Sequence, residues 1–338
     1  WFLVMAAELS ALNGLDFLSS ADLNGAQTQA LLTLAADIKA GRRNPRLDGK
    51  VLGLIFSKAS TRTRVSFTVA MARLGGQTID LNPSVSQVGR GEPIKDTARV
   101  LSRYLNAVAI RTFAQSDLQA YADAASIPII NALTDLEHPC QALADYLTMQ
   151  EAFGSLEGLT MTYVGDGNNV AHSLLIAGAL LGVNVRIGCP AGFYPLEKVV
   201  AQAKAIAAGR SEIVISEDPA EAVRGAHAVY TDVWASMGQE EEQSTRVQAF
   251  RGFCVDESLM RHADAKAIVL HCLPATLNRA MQAAPRLQCG RGQQPAGSRN
   301  SGSRSARPPR GCLLDVPRRR GQGLIDDHKP RQTSRQYR

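Results

Sequence analysis

Between residues 51 and 275 the chain alternates short apolar runs with stretches of helical length, and that rhythm leaves few folds open. "VLGLIF" (51–56), "TIDL" (78–81), "AVAIR" (107–111) and "IPIIN" (127–131) form one set of apolar runs. "LTMTYV" (159–164), "VNVRIG" (183–188), "EIVI" (212–215), "AVYTDV" (228–233) and "AIVLHC" (267–272) form a second. These runs carry little polar alternation, which predicts strands covered on both faces. Stretches such as "IKDTARVLSRYL" (94–105) and "NVAHSLLIAGALLG" (169–182) between them read as helices. Such alternation predicts parallel sheets flanked by helices, with right-handed connections. Two sets predict two doubly wound α/β domains, residues 5–150 and 151–275, joined by a long helix near "CQALADYLTMQEAF" (140–153). Residues 26–40 read as an amphipathic helix leading into the first sheet.

The 338 residues suffice for two cores, and 45% hydrophobic with 20% charged residues is a globular composition. No apolar run approaches the roughly 18 residues of a membrane span, which predicts no membrane partner. The opening Trp-Phe-Leu-Val-Met lacks the basic start and long apolar stretch of a secretory signal. With Met5 so close, it reads as a frame translated from upstream of its start. The six cysteines are scattered, without a CxxC pair or Cys/His pairs at metal-ligand spacing, which predicts a reducing compartment and no structural zinc.

The net charge of +6 is unevenly shared. Residues 276–338 hold 13 Arg and 1 Lys against 3 Asp, so the remaining body carries 23 basic and 28 acidic groups. That terminal stretch also has 7 Gly and 6 Pro and almost no periodic apolar face. It reads as a disordered basic tail, as a phosphate-binding arm, or as frameshifted GC-rich coding sequence. No aromatic interleaving or recognition fold accompanies the charge, so no nucleic-acid partner is expected.

Polar clusters follow the strands. "FSKASTRTRVSF" (56–67) places Ser60, Thr61, Arg62, Thr63 and Arg64 where the first strand gives way to a helix. Val65, Val69 and Ala72 would form that helix's apolar stripe, with Gly75-Gly76 closing it and Ser60 at or near its N-cap. Backbone N–H groups at a helix start, hydroxyls and a forked guanidinium suit a phosphate, while a solvated helix start remains the plainer reading. No GK[ST] follows, so ATP is not implied. Arg111, His138-Pro139-Cys140-Gln141, Asn168-Asn169, Asp232 and His271-Cys272 also lie at or just beyond strand ends. Open α/β sheets bind ligands beyond the carboxyl ends of their strands, so these clusters predict a site in the cleft between the domains. "GDGNNV" (165–170) lacks the third glycine of a dinucleotide fingerprint. His172 reads as a packed helical histidine, and Glu240-Glu241-Glu242 as a solvated charge run.

"STRTR", "HPCQ", "DVWASMGQE" and "HCLPA", in this order, resemble the aspartate/ornithine carbamoyltransferase family over residues 5–275. The Asp-x-x-x-Ser-Met-Gly form at 232–238 resembles its ornithine branch. The resemblance implies carbamoyl transfer from carbamoyl phosphate to the δ-amine of L-ornithine, in a cytoplasmic homotrimer of arginine biosynthesis, with neither metal nor organic cofactor. It implies that Ser60, Thr61, Arg62 and Thr63 bind the phosphate, and that Gln87 reaches carbamoyl phosphate across a subunit interface. Arg111, His138 and Gln141 would hold the carbamoyl oxygen, with Cys272 and Leu273 of the "HCLP" loop also binding carbamoyl phosphate. Asn169, Asp232, Ser236 and Met237 would bind ornithine, Asp232 and Cys272 positioning the amine and favouring its neutral form.

Alternatives are a carbamoyltransferase of another amine, such as aspartate or putrescine, or an inactive relative. The last arises because the family continues past "HCLPA" into an acidic stretch and a terminal helix bearing a carbamoyl-phosphate-binding Arg, where this chain has "TLNRAMQAAP".

Overall fold

The computed structural model describes residues 2–83, 87–233, 246 and 248–272. The stretch 276–338, on which the three readings of the tail bear, lies outside the described residues, as do Ser236, Met237 and Leu273.

The first sheet holds β1 (Val51–Phe56), β2 (Gln77–Leu81), β3 (Ala107–Arg111) and β4 (Ile129–Leu133), all parallel, in the order β2-β1-β3-β4. The second holds β5 (Thr160–Val164), β6 (Asn184–Gly188), β7 (Ile213–Ser216), β8 (Ala228–Thr231) and β9 (Ile268–His271), also parallel, in the order β7-β6-β5-β8-β9. Helices α1 (Phe2–Ala11) and α2 (Gly25–Lys39) precede the first sheet, and α3 (Arg62–Arg73), α4 (Ile94–Leu101) and α5 (Gln115–Ala124) connect its strands. The linking helix is α6 (Pro139–Phe153), and α7 (Asn169–Leu180), α8 (Glu197–Ala207) and α9 (Pro219–Val223) connect strands of the second sheet.

The apolar runs are continuous because both faces of each sheet are covered. Leu52, Leu54 and Phe56 of β1 bury on one side with Ala109 and Ala132, while Ile55 buries on the other with Val108, Ile110, Leu118 and Ile129. In the second sheet Met161, Tyr163, Val185, Tyr230 and Leu270 share one core with α6 and α7. Val164, Val229 and Val269 share the opposite core with Phe250, Phe253 and Leu259. Leu32 of α2 and Tyr146 and Met149 of α6 are sealed in the α6–α7 core, so both helices pack on the second sheet.

Three sequence readings shift. The apolar stripe expected on α3 is not the buried one: Val65 is 47% exposed and Ala72 is also exposed. Phe67 and Met71 pack against β1 instead, because their larger side chains remove more apolar surface from water. The N-cap of α3 is Thr61, in helical conformation and without a side-chain capping bond, rather than Ser60. The fourth strand runs two residues later than "IPIIN". Pro128 has no N–H to give a ladder and contributes only its carbonyl, to the N–H of Val108 at 3.0 Å. The outer edge of β4 is covered by Phe17, whose N–H donates to Ile129 and whose carbonyl accepts from Asn131, both at 2.8 Å.

Close approach of α7 to its neighbours depends on Gly178. A methyl there would lie 2.3 Å from both the Tyr146 hydroxyl and a Val185 methyl. Gly178→Ala is expected to destabilise the protein by about 2 kcal/mol through overpacking, measured as a lower urea midpoint; an unchanged midpoint contradicts this packing.

Candidate active site

The strands of each sheet reverse direction of progression at one point. In the first sheet this is between β1 and β3, and in the second between β5 and β8. Ligand crevices of open α/β sheets form at such switch points. Phe56 pairs with Arg111 at the ends of β1 and β3, and the Ser57 N–H donates to the Arg111 carbonyl at 2.8 Å. Arg111 is also paired with Leu133, the last residue of β4. Residues 57–63, Arg111 and the 134–141 turn therefore leave three neighbouring strand ends. In the second sheet Val164 pairs with Thr231 and Thr231 with His271, so the 165–169 loop, Asp232 and Cys272 also leave adjacent strand ends.

Within the first group, Thr63 is buried, Ser60 half-buried, and Thr61 and Arg62 exposed at the start of α3. The two arginines one residue apart have separate surroundings. Arg64 pairs with Asp80 and lies 5.1 Å over the Phe56 ring, whereas Arg62 sits on the exposed first turn. Lys58 pairs with Asp135 and lies 4.4 Å over the ring of Phe113, tying the 57–61 loop to the turn after β4. Gln87 opens a short 3-10 turn (Gln87–Arg90) and is exposed, beyond the edge strand β2.

His138 is the N-cap residue of α6 and is 3% exposed. One turn on, Gln141 donates its Nε2 to Asp145 at 2.9 Å, and Asp145 is fully buried. A buried carboxylate behind an amide accepts from the NH2 end, so Asp145 sets the orientation of Gln141.

The two groups meet through α7. Asn168 caps that helix, its side-chain oxygen accepting from the N–H groups of Val170 and Ala171. Asn169 donates to the Thr134 carbonyl at 2.6 Å, and the His172 Nδ1–H donates to the Leu136 carbonyl at 2.8 Å. His172 Nε2 accepts from the N–H of Leu196 at 3.0 Å, which fixes a neutral imidazole. The backbone N–H of His138 donates to Ser173 Oγ at 2.8 Å. Residues at i, i+3 and i+4 on one helix face thus grip the turn that carries His138. His172 is accordingly more than a packed histidine.

Beneath the cleft, Tyr163 and Tyr230 stack with ring centroids 5.7 Å apart, both fully buried. Burial first, then the charges of Asp145, Cys272 and Asp232, and lastly Tyr163, push the Tyr230 phenol well above its ordinary range. Tyr163 is raised in the same way by burial and then by Asp232, Asp166 and Cys272. Asp232 and Cys272, which leave neighbouring strand ends, are thus causes common to both phenols, while Asp145 acts on Tyr230. Asp166 is held by Arg246 at 2.6 Å, and Arg246 lies 5.1 Å over the Phe193 ring. Gly167 of the same loop meets the backbone of Tyr194 and Pro195 so closely that a methyl would lie 2.1 Å from the Pro195 nitrogen. The second glycine of "GDGNNV" serves this close contact. Among the described residues no cluster of three His, Cys, Asp or Glu is arranged to hold a metal.

Sequence reasoning missed Glu137, Asp145 and Ser173, and read His172 rightly as packed in its helix but without its two hydrogen bonds to backbone. The i, i+4 spacing of Gln141 and Asp145, and the i, i+3, i+4 spacing of Asn169, His172 and Ser173, were the available signals.

A family profile described as "Aspartate/ornithine carbamoyltransferase, carbamoyl-P binding domain" matches residues 15–151. A second, "Aspartate/ornithine carbamoyltransferase, Asp/Orn binding domain", matches residues 157–284. The chain belongs to the aspartate/ornithine carbamoyltransferase family. It is 68% identical over 271 residues to an ornithine carbamoyltransferase of Parasynechococcus marenigrum, covering 80% of this chain and 85% of that protein. An ornithine carbamoyltransferase of Thermosynechococcus vestitus is 61% identical over 267 residues, covering 79% of this chain and 86% of its own. The crystal structure of ornithine carbamoyltransferase from Gloeobacter violaceus is similar with a TM-score of 0.74 at 52% identity, covering 81% of this chain and 91% of that one. That from Pyrococcus furiosus gives a TM-score of 0.79 at 44% identity, covering 82% and 92%. The similarity reaches past residue 275, to 284 in the second profile.

His172 has a proton affinity below its ordinary value of 6.5, chiefly because burial disfavours the imidazolium. The unfolded chain takes up this proton more readily, so the contribution to stability is full above 6.5 and falls as pH drops below it. His271 is lowered with the same sign, first by burial. Replacing His172→Asn is expected to flatten the loss of stability between about pH 7 and pH 5, read from urea midpoints across that range. An unchanged slope contradicts the neutral, bridging His172.

Proposed function

We propose that this chain transfers the carbamoyl group of carbamoyl phosphate to the δ-amine of L-ornithine, giving L-citrulline and phosphate, a step of arginine biosynthesis. One observation carries the reading. A cluster suited to phosphate and carbonyl oxygen, at the switch point of one sheet, is hydrogen-bonded through α7 to a cluster suited to an amino acid at the switch point of the other.

Ser60, Thr61, Arg62 and Thr63 take the phosphate at the start of α3, where the helix dipole favours an anion. Arg111, His138 and Gln141 hold the carbamoyl group. Asn169 and Asp232, with Ser236 and Met237, take ornithine, and Cys272 with Leu273 contributes to binding carbamoyl phosphate. The neutral amine attacks the carbonyl carbon, the C–N bond forms, and the C–O bond to phosphate breaks as the amine's proton passes to the departing phosphate, which leaves as hydrogen phosphate. Donors aimed at the carbonyl oxygen stabilise the charge that develops there; each such donor lowers the barrier by about 3 kcal/mol. Asp232 and Cys272 hold the amine close to the carbon and favour its unprotonated form.

The same reading makes the protein a cytoplasmic homotrimer. The six scattered cysteines, with no CxxC pair, suit a reducing compartment. Val65 on α3 and Ile79 on the edge strand β2 are 47% and 46% exposed, and the exposed Gln87 follows β2 in the chain. An apolar face at a sheet edge suits a subunit contact that carries Gln87 into a neighbouring site. No helix among the described residues is long and apolar enough to cross a membrane.

The test is product formation by the full chain with carbamoyl phosphate and ornithine, aspartate or putrescine in parallel. Citrulline is expected as the main product; preference for another carbamoylated amine overturns the substrate assignment. Within an active enzyme, Arg62→Ala is expected to raise KM for carbamoyl phosphate about tenfold to a hundredfold, the worth of a charged hydrogen bond. An unchanged KM removes Arg62 from the phosphate site.

A further inference from the structure

Glu137 precedes His138 in the turn after β4 and is 2% exposed. A carboxylate so deeply buried needs donors around it, and three surround it. Ser19 donates its hydroxyl to one oxygen, while the Ser20 N–H, at 3.0 Å, and the Ser173 hydroxyl, at 3.2 Å, donate to the other. The donors come from two parts of the molecule, the segment before α2 and α7 of the second domain, and meet on the turn of the first. The Ser173 oxygen simultaneously accepts the His138 N–H at 2.8 Å. A hydroxyl has one proton and two lone pairs. By giving its proton to Glu137, Ser173 is compelled to present a lone pair to His138. The turn is closed from behind by the Thr134 N–H on the Glu137 carbonyl at 2.8 Å and by the Glu137 N–H on Thr134 Oγ1 at 3.2 Å.

We propose that Ser173, oriented by Glu137, is a positioning residue for His138: it fixes the backbone on which the imidazole stands from the opposite domain. The relay bears on the carbamoyl end of the cleft more directly than on the phosphate end, because residues 60–63 leave a different strand end, tied to the turn through the Lys58–Asp135 pair. This rests on the carbamoyl-transfer reading for its effect on rate, and on geometry alone for its effect on His138.

Ser173 is fully buried, so its replacement by Ala removes one oxygen and leaves the surrounding volume nearly unchanged. In Ser173→Ala of the full chain, kcat is expected to fall about tenfold to a hundredfold, as for a misplaced catalytic group. The inhibition constant of inorganic phosphate should stay within about twofold, and the His138 imidazole NMR resonances, assigned with His138→Gln, should move. Glu137→Ala should give the same pattern, and the double variant should cost no more than the larger single one, since both act through one relay. Ser173→Thr, which keeps the hydroxyl, should restore the His138 resonances to near their original positions. Unmoved His138 resonances in Ser173→Ala overturn the proposal, as does an additive double variant. A wild-type chain that forms no citrulline overturns the functional reading instead, and the His138 resonances still decide the role of Ser173.

Discussion

Three side chains of α7, Asn169, His172 and Ser173, hold the turn after β4 by bonds of 2.6, 2.8 and 2.8 Å. Parallel sheets of this kind present their strand ends to open space, and a single domain leaves its crevice half-walled. Two crevices become one site only where the domains are fixed to one another near the strand ends. The α7 contacts do this at the place where His138 and Asn169 lie. Backbone carbonyls are the acceptors in two of the three bonds and a backbone N–H the donor in the third. The grip therefore sets the path of the turn as well as its side chains, and His138 and Gln141 are carried with it.

Burial makes the grip rigid. Glu137, His138, Gln141, Asp145, His172 and Ser173 are each at most 3% exposed, so the polar groups cannot exchange their partners for bulk water. An unmade hydrogen bond at such a place costs about 1–3 kcal/mol, more than a typical net bond contributes. Interlocked polar groups of this kind specify one arrangement more strongly than apolar contacts alone. The start of α3 is built differently, with Thr61 and Arg62 exposed at its first turn. On the proposed reading, a dianion arriving from water reaches donors on the surface, whereas His138 and Gln141 are held in advance.

Much of this was legible in the sequence, for local reasons. β1 and β3 begin and end where "VLGLIF" and "AVAIR" do, because a buried strand is an uninterrupted apolar run. The residues at strand ends could be found without contacts, since position in a doubly wound fold already implies a shared crevice. The fourth strand was displaced because Pro128 and the covering segment at Phe17 moved its pairing, and that segment lies more than a hundred positions away. The α3 stripe was misread because periodicity weighs Val65 as heavily as Phe67, whereas packing against β1 rewards the larger ring. Glu137 and Ser173 were invisible for a related reason. Their partners lie 36 and 117 positions apart in the chain, and each residue by itself has an ordinary explanation.

The claim on which the account stands is that the two strand-end clusters form a single cleft able to hold both reactants at once. Calorimetry with one compound tests it directly: ornithine whose δ-amine carries a phosphonoacetyl group, so that phosphonate and amino acid are joined as in the reacting pair. If both clusters engage one molecule, its binding should exceed that of phosphonoacetamide by about a hundredfold or more, because the second contact becomes intramolecular. Binding no tighter than that of phosphonoacetamide alone contradicts the shared cleft.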